Sequence, residues 1–557
     1  MPTSTEIRST KENKRNISSS ILYISLGAAS GTVFLWLSSY AFPDGEFEIG
    51  REVFFNIPKF LQYSFYLTTI VTILITGYLF SLRSKNWERG TKERRNKLLS
   101  QRLYQLYRAL NMDTLRRFKA AGLMHSMIYV GFVILFIGTV TLEIHHLMPP
   151  NLKFLQGLTY QIYSAILDAA SLIYLYGLAW ALYRRLFTSE IRIKAKTLKE
   201  DFITLLLLFF IGISGLTTEA ARISLEQRPP YEIWSFVGYP LSFLIPYDIA
   251  SAFHQVSWVL HVVSFFFFLI LLPITKLRHI VTSPMNMYLS PKERHKGAMS
   301  DMGNLLEATD FETIGAAEIE DFTWKQLFDL DACTVCGRCT SVCPANATGK
   351  TLDPREIILK VGQVMSESGS PKVSSTTSNS TGVIVSSNNV FELITPEEVW
   401  ACTSCKACDE ICPVNIEILD KILDMRRHLA LMASEFPSEL GKAYVAMENS
   451  SNPWGASQDK RLDWTKELDF EVPVLGEPGT DTAEYLYWIG CAGAFDDRNI
   501  HVTRAVATLL HRSKVSYAVL GPKEQCTGDS ARRTGNEFVY QQLAIQNIET
   551  LDSFNIK

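Results

Sequence analysis

The chain has 557 residues, a net charge of −3 and ten cysteines. Such a length accommodates three or four domains, and no basic, aromatic-rich stretch points to nucleic acid. The cysteines are clustered rather than scattered through a short chain, which argues against a secreted disulfide scaffold and for metal held in a reducing compartment.

Taken in chain order, the first half is built for a bilayer. A membrane helix needs about 20 apolar residues, and six segments qualify: approximately 20–42, 60–83, 122–148, 158–186, 201–225 and 253–279. The first ends near Ser39-Tyr40-Ala41, a small-x-small pattern like a signal-peptide cleavage site. Its apolar run is long for a signal, which favours a retained span.

Lysine and arginine set the orientation. Residues 83–119 hold twelve basic and three acidic side chains, and 184–199 hold six basic ones. Residues 43–57 carry four acids and only Arg51. The amino terminus, both basic loops and everything after His279 are therefore expected in the cytoplasm, the membrane being the inner, cytoplasmic one.

Histidine inside a membrane helix is costly and marks a partner or a ligand. On a continuous sixth helix His261 and His279 are eighteen residues apart, five full turns, and share a face. In the antiparallel third helix His125 lies at the cytoplasmic end and His146 toward the outside, whereas His145 points nearly opposite to His125. The axial separations are about 31 Å for His125–His146 and about 27 Å for His261–His279, a near match. Substituting His254 stretches the second to about 37 Å. Depth therefore pairs His125 with His279 and His146 with His261, enough for one or two bis-histidine b-type haems. Asp168, Glu143 and Glu219 also lie in these helices, either as proton carriers or as structural partners of groups such as Arg222.

The phrase "LMHSMIYVGFVILFIGT" (123–139), followed by two histidines eighteen apart, resembles the haem b subunit of respiratory nitrate reductases. The chain departs from that family at Leu135, near which the family has a second histidine on its first haem helix.

The second half carries "ACTVCGRCTSVCP" (332–344) and "ACTSCKACDEICP" (401–413), each C-x2-C-x2-C-x3-C-P. Three closely spaced thiolates wrap one cubane cluster while the fourth reaches the other. The ligand sets are thus Cys333, Cys336, Cys339 with Cys412, and Cys402, Cys405, Cys408 with Cys343, for two [4Fe-4S] clusters. A zinc site needs four cysteines in all and no triplet-plus-one repeat. The 58 residues between the cassettes include the polar "SSTTSNSTG" (374–382), read as a surface loop, and residues 416–435 have helical periodicity.

Near the end, "YLYWIGCAGAF" (485–495), a helical stretch 499–511, a strand at 516–521 and "EQCTGDSARRTGNE" (524–537) follow one another. This order resembles the cysteine-rich domain of heterodisulfide reductases, whose motif runs from one cysteine to a Cys-Cys pair and then to a C-x-x-C. Cys491 and Cys526 fit, but Gln525 replaces the first member of the pair and no C-x-x-C follows. Two cysteines do not hold a cluster alone. A longer chain, a partner completing a further cluster, or a buried pair without metal are the alternatives.

The expected fold is an all-α membrane bundle of six transmembrane helices, then a cytoplasmic α-helical two-cluster ferredoxin domain and a partial α/β cysteine-rich domain. The expected divisions are a tail (1–19), two spans (20–83), a basic loop (84–121), the haem domain (122–282), a linker (283–322), the ferredoxin-type domain (323–435), a linker (436–480) and the cysteine-rich domain (481–557). The combination resembles membrane iron–sulfur oxidoreductases of the heterodisulfide-reductase type, and within them electron-transfer-flavoprotein:menaquinone oxidoreductases. That resemblance implies electron transfer between a cytoplasmic flavoprotein and menaquinone. The alternatives are a quinol-dependent reductase of a disulfide or other sulfur substrate, and a non-catalytic electron-conducting subunit.

Overall fold

The computed structural model describes residues 17–38, 49–93, 99–187, 199–290, 298–307, 313–369, 385–478, 480 and 483–554. Six helices are long and apolar enough to cross a membrane: Ile17–Ser38, Lys59–Glu88, Lys119–Leu147, Gly157–Phe187, Lys199–Leu225 and Tyr247–Leu271. They are the first to sixth spans of a multi-pass membrane protein. Each packs on its neighbour in the order first, second, sixth, fifth, fourth, third. Glycine allows close approach between the third and fourth spans: a Cβ on Gly131 would lie 2.7 Å from Tyr174 Cβ, and one on Gly177 2.9 Å from Ile128 Cγ1. Large apolar side chains such as Leu123, Ile137 and Leu260 face outward, as lipid contact requires.

The first helix lies within a few residues of the expected segment, while the cleavage-like Ser39-Tyr40-Ala41 falls outside the described residues. The sixth differs in kind. The continuous helix expected over 253–279 ends at Leu271, because Pro273 has no amide hydrogen and its ring crowds the carbonyl of Leu269. That carbonyl accepts a hydrogen bond from Thr76 Oγ1 instead (3.2 Å). The chain turns, Thr275 Oγ1 caps the Leu277 amide (3.2 Å), and a 3-10 turn Lys276–Arg278 leads into a separate helix, His279–Leu289. His261 and His279 therefore do not share a face of one helix.

The basic stretch expected as a loop over 84–121 is largely helical, in the end of the second span, Leu99–Leu110 and Asp113–Arg116. Most of the second basic loop (188–198) and the polar stretch 374–382 lie outside the described residues. Polar contacts gather several helix termini at one end of the bundle. The Ser18 amide donates to Glu88 Oε1 (2.6 Å), and Asp201 pairs with Lys276 (2.9 Å) and Arg185 (3.3 Å).

At that end sits the iron–sulfur unit, with a core that includes Ile319, Phe322, Phe328, Val361, Ile394 and Ile422. The second span reaches into it: Trp87 meets Phe328 edge-on, ring centroids 4.8 Å apart. The stretch expected as a linker, 283–322, starts inside the helix His279–Leu289 and ends with Ala316 and Ile319 in this core. The periodic segment 416–435 contains the helix Ile418–Leu431. A second expected linker, 436–480, carries the helix Ser438–Ser450 and buries Tyr444, Met447 and Trp464. The last unit pairs Tyr485 with Tyr517 and Leu486 with Ala518 in parallel, with helices Gly490–Phe495, Asp497–Arg512 and Glu537–Ser553 around them. The expected strand–helix–strand–helix order is present, although each strand is two residues long.

Candidate iron–sulfur and haem sites

The two cassettes repeat in backbone as well as in sequence. Two residues after the first cysteine, Val335 and Ser404 have φ of +57° and +55°; two further on, Gly337 and Lys406 have +68° and +63°. A β-branched residue such as Val335 is an outlier there, a strain that persists at sites where the loop is held by function. The turn aims the Val335 amide at Cys333 Sγ and the Ser404 amide at Cys402 Sγ, both at 3.4 Å. Hydrogen bonds to sulfur of this kind tune the potential of a bound cluster. Each loop then enters a one-turn helix, Arg338–Val342 or Ala407–Ile411, which ends at Cys343 or Cys412.

These short helices pack against each other, and that contact exchanges the fourth thiols. Cys343 lines one small cavity with Cys402, Cys405 and Cys408. Burial pushes the Cys412 thiol pKa up strongly, and proximity to Cys336 and Cys333 adds to the effect. The Cys333 thiol is pushed up to about 11, chiefly by burial, so a cationic metal must be present before the thiolates become favourable. Four thiols on one tetrahedral zinc at about 2.3 Å would stand about 3.8 Å apart. A cavity between four thiols has room for a multi-iron cluster.

At the bundle end below, His125 and His279 meet with ring centroids 6.4 Å apart. Two imidazoles binding one metal from opposite sides at about 2.0–2.1 Å put their centroids about 6 Å apart, so the pair fits one bis-histidine iron. Their Nδ1 atoms are engaged elsewhere, with Met112 Sδ (3.3 Å) and with the Lys276 carbonyl (2.6 Å). That leaves Nε2 of each as the free ligating atom. Met112 has φ of +54° and no sequence pattern marks it.

The outer pair is not assembled in the same way. Among the described residues His125–His279 is the one contact between histidine rings. His261 Nδ1 faces the fifth span, at 3.1 Å from both Ser214 Oγ and the Ile211 carbonyl. His146 lies edge-on to Phe54 (5.4 Å) beside Glu143, whose carboxylate accepts from Tyr66 (2.9 Å). His145 accepts from the Leu155 amide (3.1 Å). Of the membrane acids, Asp168 caps the Val237 and Gly238 amides (2.6 and 3.1 Å), while Arg222 pairs with Glu226 and Glu232 (2.7 and 2.8 Å).

In the last unit Cys491 and Cys526 are buried and lie against each other. That contact drives the Cys491 thiol pKa up and holds Cys526 down to about 7. Arg461 reaches Cys491 Sγ (3.5 Å) and pairs with Glu524 (2.8 Å), which accepts the Ile489 and Gly490 amides (3.0 and 2.7 Å). The two thiols supply half of a four-cysteine ligand set.

Three families match successive parts of the chain: the nitrate reductase gamma subunit over 123–294, the 4Fe-4S dicluster domain over 329–416 and the cysteine-rich domain over 485–556. The chain is 31% identical over 534 residues to a protein of Bacillus subtilis (strain 168) named "Probable iron-sulfur-binding oxidoreductase", covering 88% of this chain and 74% of the relative. It is 32% identical over 542 residues to an "EtfAB:quinone oxidoreductase" of Syntrophomonas wolfei, covering 91% and 74%. Over 253 residues it is 28% identical to one chain of the dihydromethanophenazine:CoB–CoM heterodisulfide reductase of Methanosarcina barkeri, covering 43% and 56%. No solved structure matches the chain.

Proposed function

This chain belongs to the family of membrane-bound iron–sulfur oxidoreductases of the heterodisulfide-reductase type, and from that premise we propose that it passes electrons between an electron-transfer flavoprotein and menaquinone. When bound, two [4Fe-4S] clusters and a b-type haem supply the one-electron chemistry. The chain's own residues fix where those groups sit. Cys333, Cys336, Cys339 and Cys412 form one ligand set, Cys402, Cys405, Cys408 and Cys343 the other, and His125 with His279 the haem ligands. His261 and His146 remain candidates for a second haem, His261 with its Nδ1 already oriented by Ser214 and Ile211.

The observation that carries the reading is the His125–His279 pair at the bundle end against which the two-cassette unit is packed. The basic residues at that end, among them Arg83, Arg116, Lys119 and Arg278, support a cytoplasmic position for the iron–sulfur unit. The flavoprotein and the quinone are carried over from the relative named for both. Purified chain in detergent, supplied with reduced electron-transfer flavoprotein and a water-soluble menaquinone analogue, is expected to reoxidise the flavin, restoring its visible absorbance, and to reduce the quinone. Haem that is reduced by dithionite but never by the flavoprotein would refute the donor.

A second reading, reduction of a disulfide substrate by quinol electrons, has one observation in its favour: Cys491 and Cys526 stand together beside Arg461. The same purified protein separates the two, since this reading requires quinol-dependent thiol release.

A further inference from the structure

We propose that the two cysteine sets stand in series, the Cys333/Cys336/Cys339/Cys412 set beside His125 and His279 and the Cys402/Cys405/Cys408/Cys343 set beside the cysteine-rich unit, with the helix His279–Leu289 as the positioning strut. The inference rests on the reading above that these residues hold clusters and haem.

The strut starts at one histidine of the pair and ends in the loops of one cysteine set. Thr282 Oγ1 donates to the Asp331 carbonyl (3.0 Å) and Ser283 Oγ to the Ala332 carbonyl (3.3 Å), the two residues before Cys333. One turn on, Asn286 Nδ2 donates to the Val414 carbonyl (2.9 Å), two residues after Cys412. Positions 282, 283 and 286 lie on one helix face, and all three side chains are buried. Cys333 and Cys412 belong to the same set despite their distance in sequence, so a single face grips both ends of that set.

A buried charge cluster holds the strut at its base. Asp331 accepts from Arg83 Nε (2.8 Å) and Trp87 Nε1 (2.7 Å) of the second span, and pairs with Arg278 (3.3 Å), the residue before His279. A broken buried pair is strongly penalised while an intact one fixes geometry, so the Cys333 loop, the second span and His279 move as one. On the third-span side, Arg338 of the first cassette lies over the Phe118 ring (4.4 Å), just ahead of the helix that bears His125.

The other set is gripped from the opposite direction. Arg426 donates to the carbonyls of Cys402 and Arg533 and to Ser404 Oγ (3.0 Å), while Arg533 donates back to the Ser404 carbonyl (3.1 Å). Arg427 pairs with Glu537 (2.9 Å), and a Cβ on Gly535 would lie 2.6 Å from the Arg426 carbonyl carbon. Arg533, Gly535 and Glu537 belong to the unit that carries Cys491 and Cys526. No comparable contact ties the Cys402 loop to the His279–Leu289 helix among the described residues.

The test uses the full chain in lipid nanodiscs and reads the haem midpoint potential, a quantity sensitive to a neighbouring charged cluster. Cys339→Ser should shift the potential clearly and abolish haem reduction by photoreduced free flavin, whereas Cys408→Ser should leave the potential near the parent value. A larger shift in Cys408→Ser would overturn the order. Should either cysteine variant fail to assemble, Thr282→Val with Asn286→Leu keeps every ligand. It is expected to retain full iron and haem content but to move the haem potential and slow haem reduction, with Thr282→Ser as the rescuing control. An unchanged potential and rate in the double variant would refute the strut. Absence of haem or of cluster iron in the parent protein would instead refute the functional reading on which the order rests.

Discussion

His125 sits at the one place where sequence spacing and geometry converge on the same partner. Its Nδ1 is engaged by Met112 and its ring faces His279 at 6.4 Å. His125→Ala is expected to remove the b-type absorbance associated with this pair while cluster iron stays at the parent level, measured by haem and iron assay on one sample. Retention of the full haem spectrum would exclude His125 as a ligand. A second residue carries stability rather than chemistry. Asp329 is fully buried with Lys325 and Lys421, each at 2.6 Å. Burial alone would raise its pKa, but the two ammonium groups override that and hold the carboxyl below its ordinary value. A depressed carboxylate stabilises the fold above its unfolded pKa, and this is lost only as the pH falls through the lower folded value. Asp329→Asn leaves two buried lysines without their counter-charge. It is expected to cost about 3–5 kcal/mol at neutral pH, read as a lowered unfolding midpoint of the iron–sulfur unit.

Among the helices, glycine distinguishes faces that must meet a neighbouring span from those that need not. Gly131 on the third span has Tyr174 Cβ within 2.7 Å of a hypothetical Cβ, and the nearest atoms include fourth-span backbone. Gly27 on the first span has nothing within 4 Å. Gly131→Leu should therefore separate the third and fourth spans and sharply reduce the yield of monodisperse protein in detergent, whereas Gly27→Leu should be tolerated. Equal yields would mean that the two spans do not pack as described. The break after the sixth span matters for the same reason of placement. Pro273 turns the chain out of one helix, and the next begins with His279 already directed toward His125.

Across the whole molecule, two complete cysteine sets predict about eight irons per chain besides haem iron. Reduced protein should give low-temperature EPR signals from cubane clusters, and one or two zinc ions with no such signals would defeat the cluster assignment. The proposed orientation rests on the basic residues gathered at the end that bears the iron–sulfur unit. A reporter joined after Lys292 is expected to be active on the cytoplasmic side alone, and activity on the other side would reverse the electron route. Cohesion between membrane and soluble parts comes from Trp87 in the iron–sulfur core and Arg83 on Asp331. The two halves are thus expected to resist separation by proteolysis within the described segments, as judged by limited digestion.

Motif spacing alone brought the eight cassette cysteines and the exchange of their fourth members into view, because a cubane cluster demands four thiolates at short, fixed intervals. The six spans were equally legible, since the bilayer imposes a length and a polarity that composition must meet. The His125–His279 pairing was reached through a helix that does not run as assumed. The two rings do meet, but 253–279 is not one helix, because Pro273 ends the sixth span at Leu271. Met112, Asp331 and Asn286 left no trace in any pattern. Asp331 has Trp400 at the equivalent place in the second cassette, so the repeat could not expose it. These residues act through partners far along the chain, Arg83 lying 248 residues from Asp331 and Asn286 lying 128 from Val414. Local periodicity reports covalent neighbours and the face a helix buries. Which distant carbonyl or carboxylate meets that face is set when the helices pack, and here the packing ties one cysteine set to the histidines and the other to the cysteine-rich unit.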